Sequence, residues 1–247
     1  QCEGLPVTFT DGSTTTVGTI TGWTWDFGDG PPTNNTQNPT HTYVSGGTYT
    51  VTLTATNSNG CTNTYTTTVT IPSSPVANGG ADTTTCSTNP FVMLGGTVLN
   101  ATGGTWIGNG TFTPSPAILN PTYTATPAEV TAGFAIVGFV TTGNGTCPAD
   151  TDWVTITITP AATINAGSDI SVCKDTSGFP ICATVAVATG GTWTTSGTGT
   201  FTPSANVLCP TYIPSTPDTT AGTVTLVVTS TGNGTCNAAY DTLVVSF

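Results

Sequence analysis

The stretch Thr48-Tyr49-Thr50-Val51-Thr52-Leu53-Thr54-Ala55-Thr56 reads as a β-strand. Threonine holds every even position, and tyrosine, valine, leucine and alanine hold the odd ones. A period of two is that of a strand with one face buried and the other wet. Thr155-Ile156-Thr157-Ile158-Thr159 repeats the pattern. β-Branched threonine supplies strand propensity, and its hydroxyl supplies solubility without charge. That accounts for a composition in which about a quarter of the chain is threonine and only 5% is charged, against roughly 25% charged residues in an ordinary globular domain. Thirty Gly and eighteen Pro, spread along the chain, leave no uninterrupted helical stretch. The expected class is all-β.

The charge balance excludes several functions. The 247 residues hold one cation, Lys174, and twelve acidic residues, for a formal charge of −11. One lysine cannot neutralise the phosphates of a nucleic acid or grip an anionic membrane surface. No apolar run approaches the roughly 18 residues that a spanning helix needs, so membrane insertion is not expected either. The opening Gln1-Cys2 carries no secretory leader, and the chain reads as a mature product or a segment of something longer. Eight cysteines without CxxC spacing suit an oxidising, extracellular setting.

Internal repeats divide the chain. Ala101-Thr102-Gly103-Gly104-Thr105-Trp106 recurs as Ala188-Thr189-Gly190-Gly191-Thr192-Trp193, and Thr142-Gly143-Asn144-Gly145-Thr146-Cys147 as Thr231-Gly232-Asn233-Gly234-Thr235-Cys236. Three modules follow: residues 1–72, 75–160 and 161–247. Proline-bearing joints, Pro72-Ser73-Ser74-Pro75 and Pro160-Ala161-Ala162, separate them. Proline fixes φ, so a stiff rod is expected. At roughly 40 Å per sandwich it would run about 100–130 Å.

The cysteines suggest one bridge per module: Cys2–Cys61, Cys86–Cys147 and Cys173–Cys236. The first of each pair precedes the module's first strand, and the second follows an Asn-Gly-type turn before the last strand. In an immunoglobulin-like sandwich those points would share a pole. Cys182 and Cys209 stand where the sister repeat has Gly95 and Asn120, so they are expected to pair with each other.

Residues 1–71 resemble a PKD domain, an immunoglobulin-like sandwich. Three motifs carry the resemblance: Trp23-Thr24-Trp25-Asp26-Phe27-Gly28-Asp29-Gly30, Pro39-Thr40-His41-Thr42-Tyr43, and the Gly47–Ala55 strand. The later modules resemble PKD-like repeats of giant Bacteroidota surface proteins, the adhesion and gliding cargo of type IX secretion. Asn165-Ala166-Gly167-Ser168-Asp169 and the two repeated turns carry that likeness. Together they imply a tandem, rod-like array of three PKD-type sandwiches at the cell surface.

Candidate sites are few. The sole histidine, His41, lies in a motif strand, and no Gly-x-Ser-x-Gly elbow accompanies it. Neither catalysis nor a cofactor is expected. Resemblance to calcium-binding PKD domains implies a calcium set of Asp11, Asp26 and Asp29; the competing reading has these carboxylates capping backbone amides. Asp-(Ser/Thr) motifs of the kind Bacteroidota O-glycosylate place candidate glycans on Thr83, Thr219 and Thr242. Phe134, Ile136 and Val140 stand where the sister repeat has Thr223, Thr225 and Thr229. They mark a surface covered by a neighbouring module, another subunit or a partner, or else a slipped register, or a core that is thicker there.

The expected function is a non-enzymatic structural or adhesive segment of a bacterial surface protein or appendage. It would serve as a stalk or filament for attachment, gliding or prey contact. Its partners would be other copies or modules, and a surface glycan or protein. The alternative is a carbohydrate-binding accessory module of a secreted hydrolase, with Trp23, Trp25, Trp106, Trp153 and Trp193 as candidate sugar-stacking faces.

Overall fold

The computed structural model describes all residues 1–247. Strands take 47% of the chain and helix 5%, so the class is all-β. The first module holds β1 (Pro6–Thr8), β2 (Ile20–Asp26), β3 (Thr40–Thr42), β4 (Gly47–Asn57) and β5 (Thr62–Ile71). The second holds β6 (Val76–Asn78), β7 (Thr83–Cys86), β8 (Phe91–Met93), β9 (Thr97–Leu99), β10 (Gly103–Ile107), β11 (Thr111–Thr113), β12 (Thr122–Thr124), β13 (Phe134–Thr142) and β14 (Thr151–Thr159), with helix α1 (Pro127–Ala132) before β13. The third repeats that order: β15 (Thr163–Asn165), β16 (Ile170–Ser171), β17 (Phe179–Pro180), β18 (Thr184–Ala186), β19 (Gly190–Thr195), β20 (Thr200–Thr202), β21 (Thr211–Ile213), α2 (Thr216–Ala221), β22 (Thr223–Thr231) and β23 (Tyr240–Ser246).

Three separate cores result. One is built on Trp25, Phe27, Tyr43, Val51 and Leu53, one on Trp106, Tyr123, Val137, Phe139 and Ile156, and one on Trp193, Tyr212, Leu226, Val228 and Val245. The threonine alternation has the register its pattern implies. On β4 and β5, Thr50 faces Thr68, Thr52 faces Thr66 and Thr54 faces Thr64, a ladder of cross-strand threonine pairs on the wet face. Val51 and Leu53 point the other way and are buried.

The motifs of the first module serve packing. Gly28 has φ 80°, and a Cβ there would collide with the Thr50 carbonyl oxygen, so only glycine lets this turn lie against β4. His41 stacks on Phe27 with ring centroids 4.0 Å apart, its Nε2 lies 2.7 Å from Asp29 Oδ2, and the Tyr43 hydroxyl donates to the Phe27 carbonyl at 3.1 Å.

Helices α1 and α2 depart from the expectation of no helical stretch. Each is six residues long and set by a capping box. The hydroxyls of Thr126 and Ser215 accept from the amides of Glu129 and Asp218, whose carboxylates accept in return from the cap amides. Proline in the first turn and a left-handed glycine (Gly133, Gly222) bound each helix.

The modules differ at one sheet edge. In the second, β7 runs parallel on the edge of β14, completing the sheet β10-β13-β14-β7. In the third, β16 does the same on β23, giving β19-β22-β23-β16. In both, a strand just upstream, β6 or β15, packs against the same sheet. Gly79, after β6, passes so close to Val154 that a Cβ there would sit 2.9 Å from the valine methyl. The first module has only β2-β4-β5 in the corresponding sheet, and nothing pairs with the outer edge of β5.

Candidate functional site

The chemistry of this chain is concentrated at its two joints. Cys2 of the first module is bonded to Cys147 of the second, with Cα atoms 5.0 Å apart. Cys86 of the second is bonded to Cys236 of the third, with Cα atoms 4.9 Å apart. Cys182 is bonded to Cys209 within the third module. The three pairings Cys2–Cys61, Cys86–Cys147 and Cys173–Cys236 are therefore replaced by bridges that cross module boundaries. Cys61 and Cys173 are unbonded and exposed.

The reason is the path of the N-terminal strand. It traverses the module before reaching its cysteine, so Cys86 pairs in register with Thr159 at the far end of β14. Cys147 lies in the turn before β14 begins at Thr151. The nine residues of β14 hold the two cysteines roughly 30 Å apart at about 3.3 Å per residue, against the roughly 7 Å limit on Cα separation for a disulfide. In the first module Cys2 lies beside Pro72, its Sγ 3.4 Å from the carbonyl, while Cys61 precedes the ten-residue β5. Each module thus carries one cysteine at each pole, and the disulfides join unlike poles of successive modules.

Polar contacts reinforce both joints. Glu3 grips the first linker: its backbone amide donates to Pro72 O at 3.0 Å, and its Oε1 accepts from the Ser74 amide at 2.9 Å. The Ser74 amide, with that of Gly46, holds its carboxyl below the usual glutamate range. From the other side Asn100 Nδ2 donates to Ser74 O at 2.9 Å. At the second joint the Thr159 hydroxyl lies 3.4 Å from the Thr235 hydroxyl across the boundary, and Thr159 is held within the second module by its hydroxyl donating to Thr85 O at 3.1 Å and its carbonyl accepting from the Ser87 amide at 2.9 Å.

Carboxylates staple the upstream strands to their sheets. Asp150 Oδ2 accepts from the Ala77 amide and Asp152 Oδ2 from the Gly79 amide, both at 2.8 Å. In the third module Asp241 Oδ2 accepts from the Ala166 amide at 2.9 Å, which with the Thr242 amide lowers its pKa. The sequence hides these staples, because donor and acceptor lie more than 70 residues apart.

The calcium set does not assemble. Asp11 accepts from Trp23 Nε1 at 2.7 Å and Gln37 Nε2 at 3.1 Å, Asp26 from the Gly28 amide at 2.9 Å, and Asp29 engages His41. Local donors hold each carboxylate, and no three of His, Cys, Asp and Glu converge. The glycosylation motifs have a structural account as well. Asp82 accepts from the Thr155 amide at 2.8 Å, Asp218 caps α2, and Asp241 pins β15. Of the adjoining threonines, Thr242 is exposed, Thr83 is half-exposed, and Thr219 donates to Thr216 O at 3.1 Å.

Phe134, Ile136 and Val140 lie on the outer face of β13, while Ala135, Val137 and Phe139 point inward and are buried. Phe134 is 49% and Ile136 48% exposed. Gly138, between Ile107 and Trp153 in the register, leaves room for both side chains. Ile107, Ile136 and the 58% exposed Trp153 thus extend the apolar patch. Trp25, Trp106 and Trp193 are core residues, so Trp153 is the tryptophan most open to a ligand.

A family profile for the PKD domain matches residues 1–71. Over 65 residues the chain is 41% identical to collagenase ColA of Bacillus cereus, a match covering 26% of this chain and 7% of that enzyme. The chain thus spans a small part of the length of this relative. Among solved structures, it is similar to the I67–I69 fragment of the titin I-band (8% identity, TM-score 0.45, covering 99% of this chain and 93% of that one). It is also similar to the three N-terminal domains of the outer capsid protein Hoc of bacteriophage RB49 (13% identity, TM-score 0.48, covering 99% and 94%). Residues 1–71 are thus similar to a PKD domain, and two further β-sandwiches follow in series.

Proposed function

We propose that this chain is a non-catalytic, load-bearing extracellular segment, a stalk or filament of a bacterial surface protein of the Bacteroidota type IX-secreted kind. Attachment, gliding or prey contact is the task that such a segment serves. The observation that carries this reading is the pair of disulfides that cross module boundaries. A bridge inside a module stabilises that module; a bridge across a joint makes the joint a second covalent connection and resists bending and extension. With both bridges intact, the shortest covalent path between the termini uses residues 1–2, 86–147 and 236–247. At about 3.4 Å per residue, pulling stops near 260 Å, whereas the open 247-residue chain would reach about 840 Å. Single-molecule extension tests this: the oxidised chain should stop near the shorter limit and lengthen only when reductant is added. Extension past that limit without reductant would defeat the proposal.

The patch of Ile107, Phe134, Ile136 and Trp153 is the surface on which we place lateral association between copies. At a net charge of −11, copies repel one another at low salt, so association should strengthen with ionic strength. The double variant Phe134→Thr, Ile136→Thr should remain monomeric in sedimentation at salt concentrations where the unaltered chain associates. The exposed indole of Trp153 favours a second reading, a carbohydrate-stacking module. Retention on insoluble polysaccharide, abolished by Trp153→Ala, would support that reading instead.

A further inference from the structure

The two unbonded cysteines are complementary. By module position, Cys2, Cys86 and Cys173 form one set. The carbonyl of each accepts from the amide three residues on, namely Leu5, Asn89 and Thr176. Cys61, Cys147 and Cys236 form the other set, each in the turn before its module's last long strand, β5, β14 or β23. At both joints the first-set cysteine of one module is bonded to the second-set cysteine of the next. The members left over are Cys173 of the last module and Cys61 of the first, one from each set and both exposed.

We propose that Cys173 of one copy of this chain bonds to Cys61 of a second copy, continuing the array head to tail. This rests on the load-bearing reading and names its partner. The contact joins unlike surfaces at opposite ends of the chain, so each copy can accept another, and where the rotation per copy does not close a ring it generates an open filament. The reaction is thiol–disulfide exchange with a small-molecule disulfide. The Cys61 thiolate attacks glutathione disulfide and releases one glutathione thiolate. The Cys173 thiolate of the first copy then displaces the other, so two protein thiols are oxidised as one disulfide is reduced to two thiols.

The test is electrophoresis without reductant after incubation with glutathione disulfide. The unaltered chain should give a ladder whose rungs contain a Cys61–Cys173 cross-link by peptide mass mapping. Cys61→Ser alone and Cys173→Ser alone should stay monomeric, and a mixture of the two should stop at the dimer. Both side chains are exposed and unbonded, so serine leaves the folded modules intact. Covalent dimers of either single variant, an unaltered chain that stays monomeric, or a Cys61–Cys173 bond within one chain would each overturn the proposal. Extension of the single chain depends only on the internal bridges, so a missing ladder would leave the load-bearing reading standing.

A different observation carries a second inference. Tyr65 faces the buried Leu53 across β5 and β4, on the inner side of the sheet, yet it is 70% exposed. Beside it lies a groove of about 660 Å³, lined by Phe9, Trp25, Leu53, Ala55 and Tyr65. Trp25 Nε1 is buried with no hydrogen-bond partner, a state that is unfavourable until a partner arrives. In the other modules β6 and β15 lie against the matching sheet, and β7 and β16 pair with the matching strand edge.

We infer that this groove receives an extended segment donated from outside residues 1–247, with small or apolar residues packed inward. It would run parallel to β5 as β7 runs on β14. Synthetic peptides of residues 75–85 and 162–172, the two segments that fill this place elsewhere in the chain, are the probes. Either one should slow amide exchange along β5 and shield Tyr65 from solvent quenchers, while a scrambled peptide should do neither. If both peptides at millimolar concentration leave β5 exchange unchanged, or if the scrambled one acts equally, the inference fails.

Discussion

Asp218 shows how much one buried carboxylate carries in a chain with almost no cations. It is 3% exposed and accepts from the amides of Ser215 and Thr198 at 2.9 Å and from the Tyr212 hydroxyl at 2.8 Å. Burial alone would raise its pKa, but those donors outweigh burial and hold it below the ordinary aspartate range. Burial, with Asp218 alongside, pushes Tyr212 up to about 12, so the phenol remains a donor at any physiological pH. Glu129 and Tyr123 repeat the arrangement in the second module, at 2.8 Å. Removing the carboxylate leaves several buried donors unmatched and deletes the helix cap, so Asp218→Ala should cost the third module about 3 kcal/mol, read from its urea midpoint. The lowered folded-state pKa fixes the sign of the pH effect. The stabilisation is complete above the unfolded aspartate value near 3.9 and is lost as pH falls through the folded value. Urea midpoints measured from pH 5 to pH 2 should fall less steeply in Asp218→Asn than in the unaltered chain. An unchanged slope would show that this site does not govern the acid limb.

Single elements were partly legible in sequence, and their long-range relations were not. The alternation of Thr48–Thr56 has the register that a period of two requires, because strand periodicity is local. The capping boxes Thr126-Pro127-Ala128-Glu129 and Ser215-Thr216-Pro217-Asp218 were also local signals, but strand propensity and scattered proline obscured them. The pole at which Cys86 sits depends on the parallel pairing of β7 with β14, partners more than 70 residues apart. Spacing of about 60 residues between cysteines looked like a loop to be closed; the path between them instead ends at the opposite pole of the module. The joints make this testable with one cut. A protease site placed at Ser73 should leave residues 1–73 and 74–247 migrating together without reductant, because Cys2–Cys147 spans the cut. Bridges confined to modules would release two pieces at once.

At the scale of the whole molecule, the scarcity of ion pairs and the placement of disulfides belong together. His41–Asp29 is the one ion-pair contact in the chain, and it depends on the histidine being protonated. Exposed salt bridges contribute little to stability, so threonine hydroxyls can replace them on the wet faces at small cost. Orientation between modules is another matter, since a single linker, even one containing proline, leaves torsional freedom about each joint. Closing loops of 145 and 150 residues contributes about 5 kcal/mol each in the chain-entropy model, and the two overlap, so they do not simply add. Their larger effect is to take the torsional freedom away. Images of single particles should therefore show nearly constant angles at both joints in oxidised chains. Cys86→Ser should broaden the angle only between the second and third modules, and full reduction should broaden both. If the angles stay equally narrow after reduction, the polar contacts of Glu3, Asn100 and Thr159 are sufficient to hold the joints, and the disulfides serve against extension rather than bending.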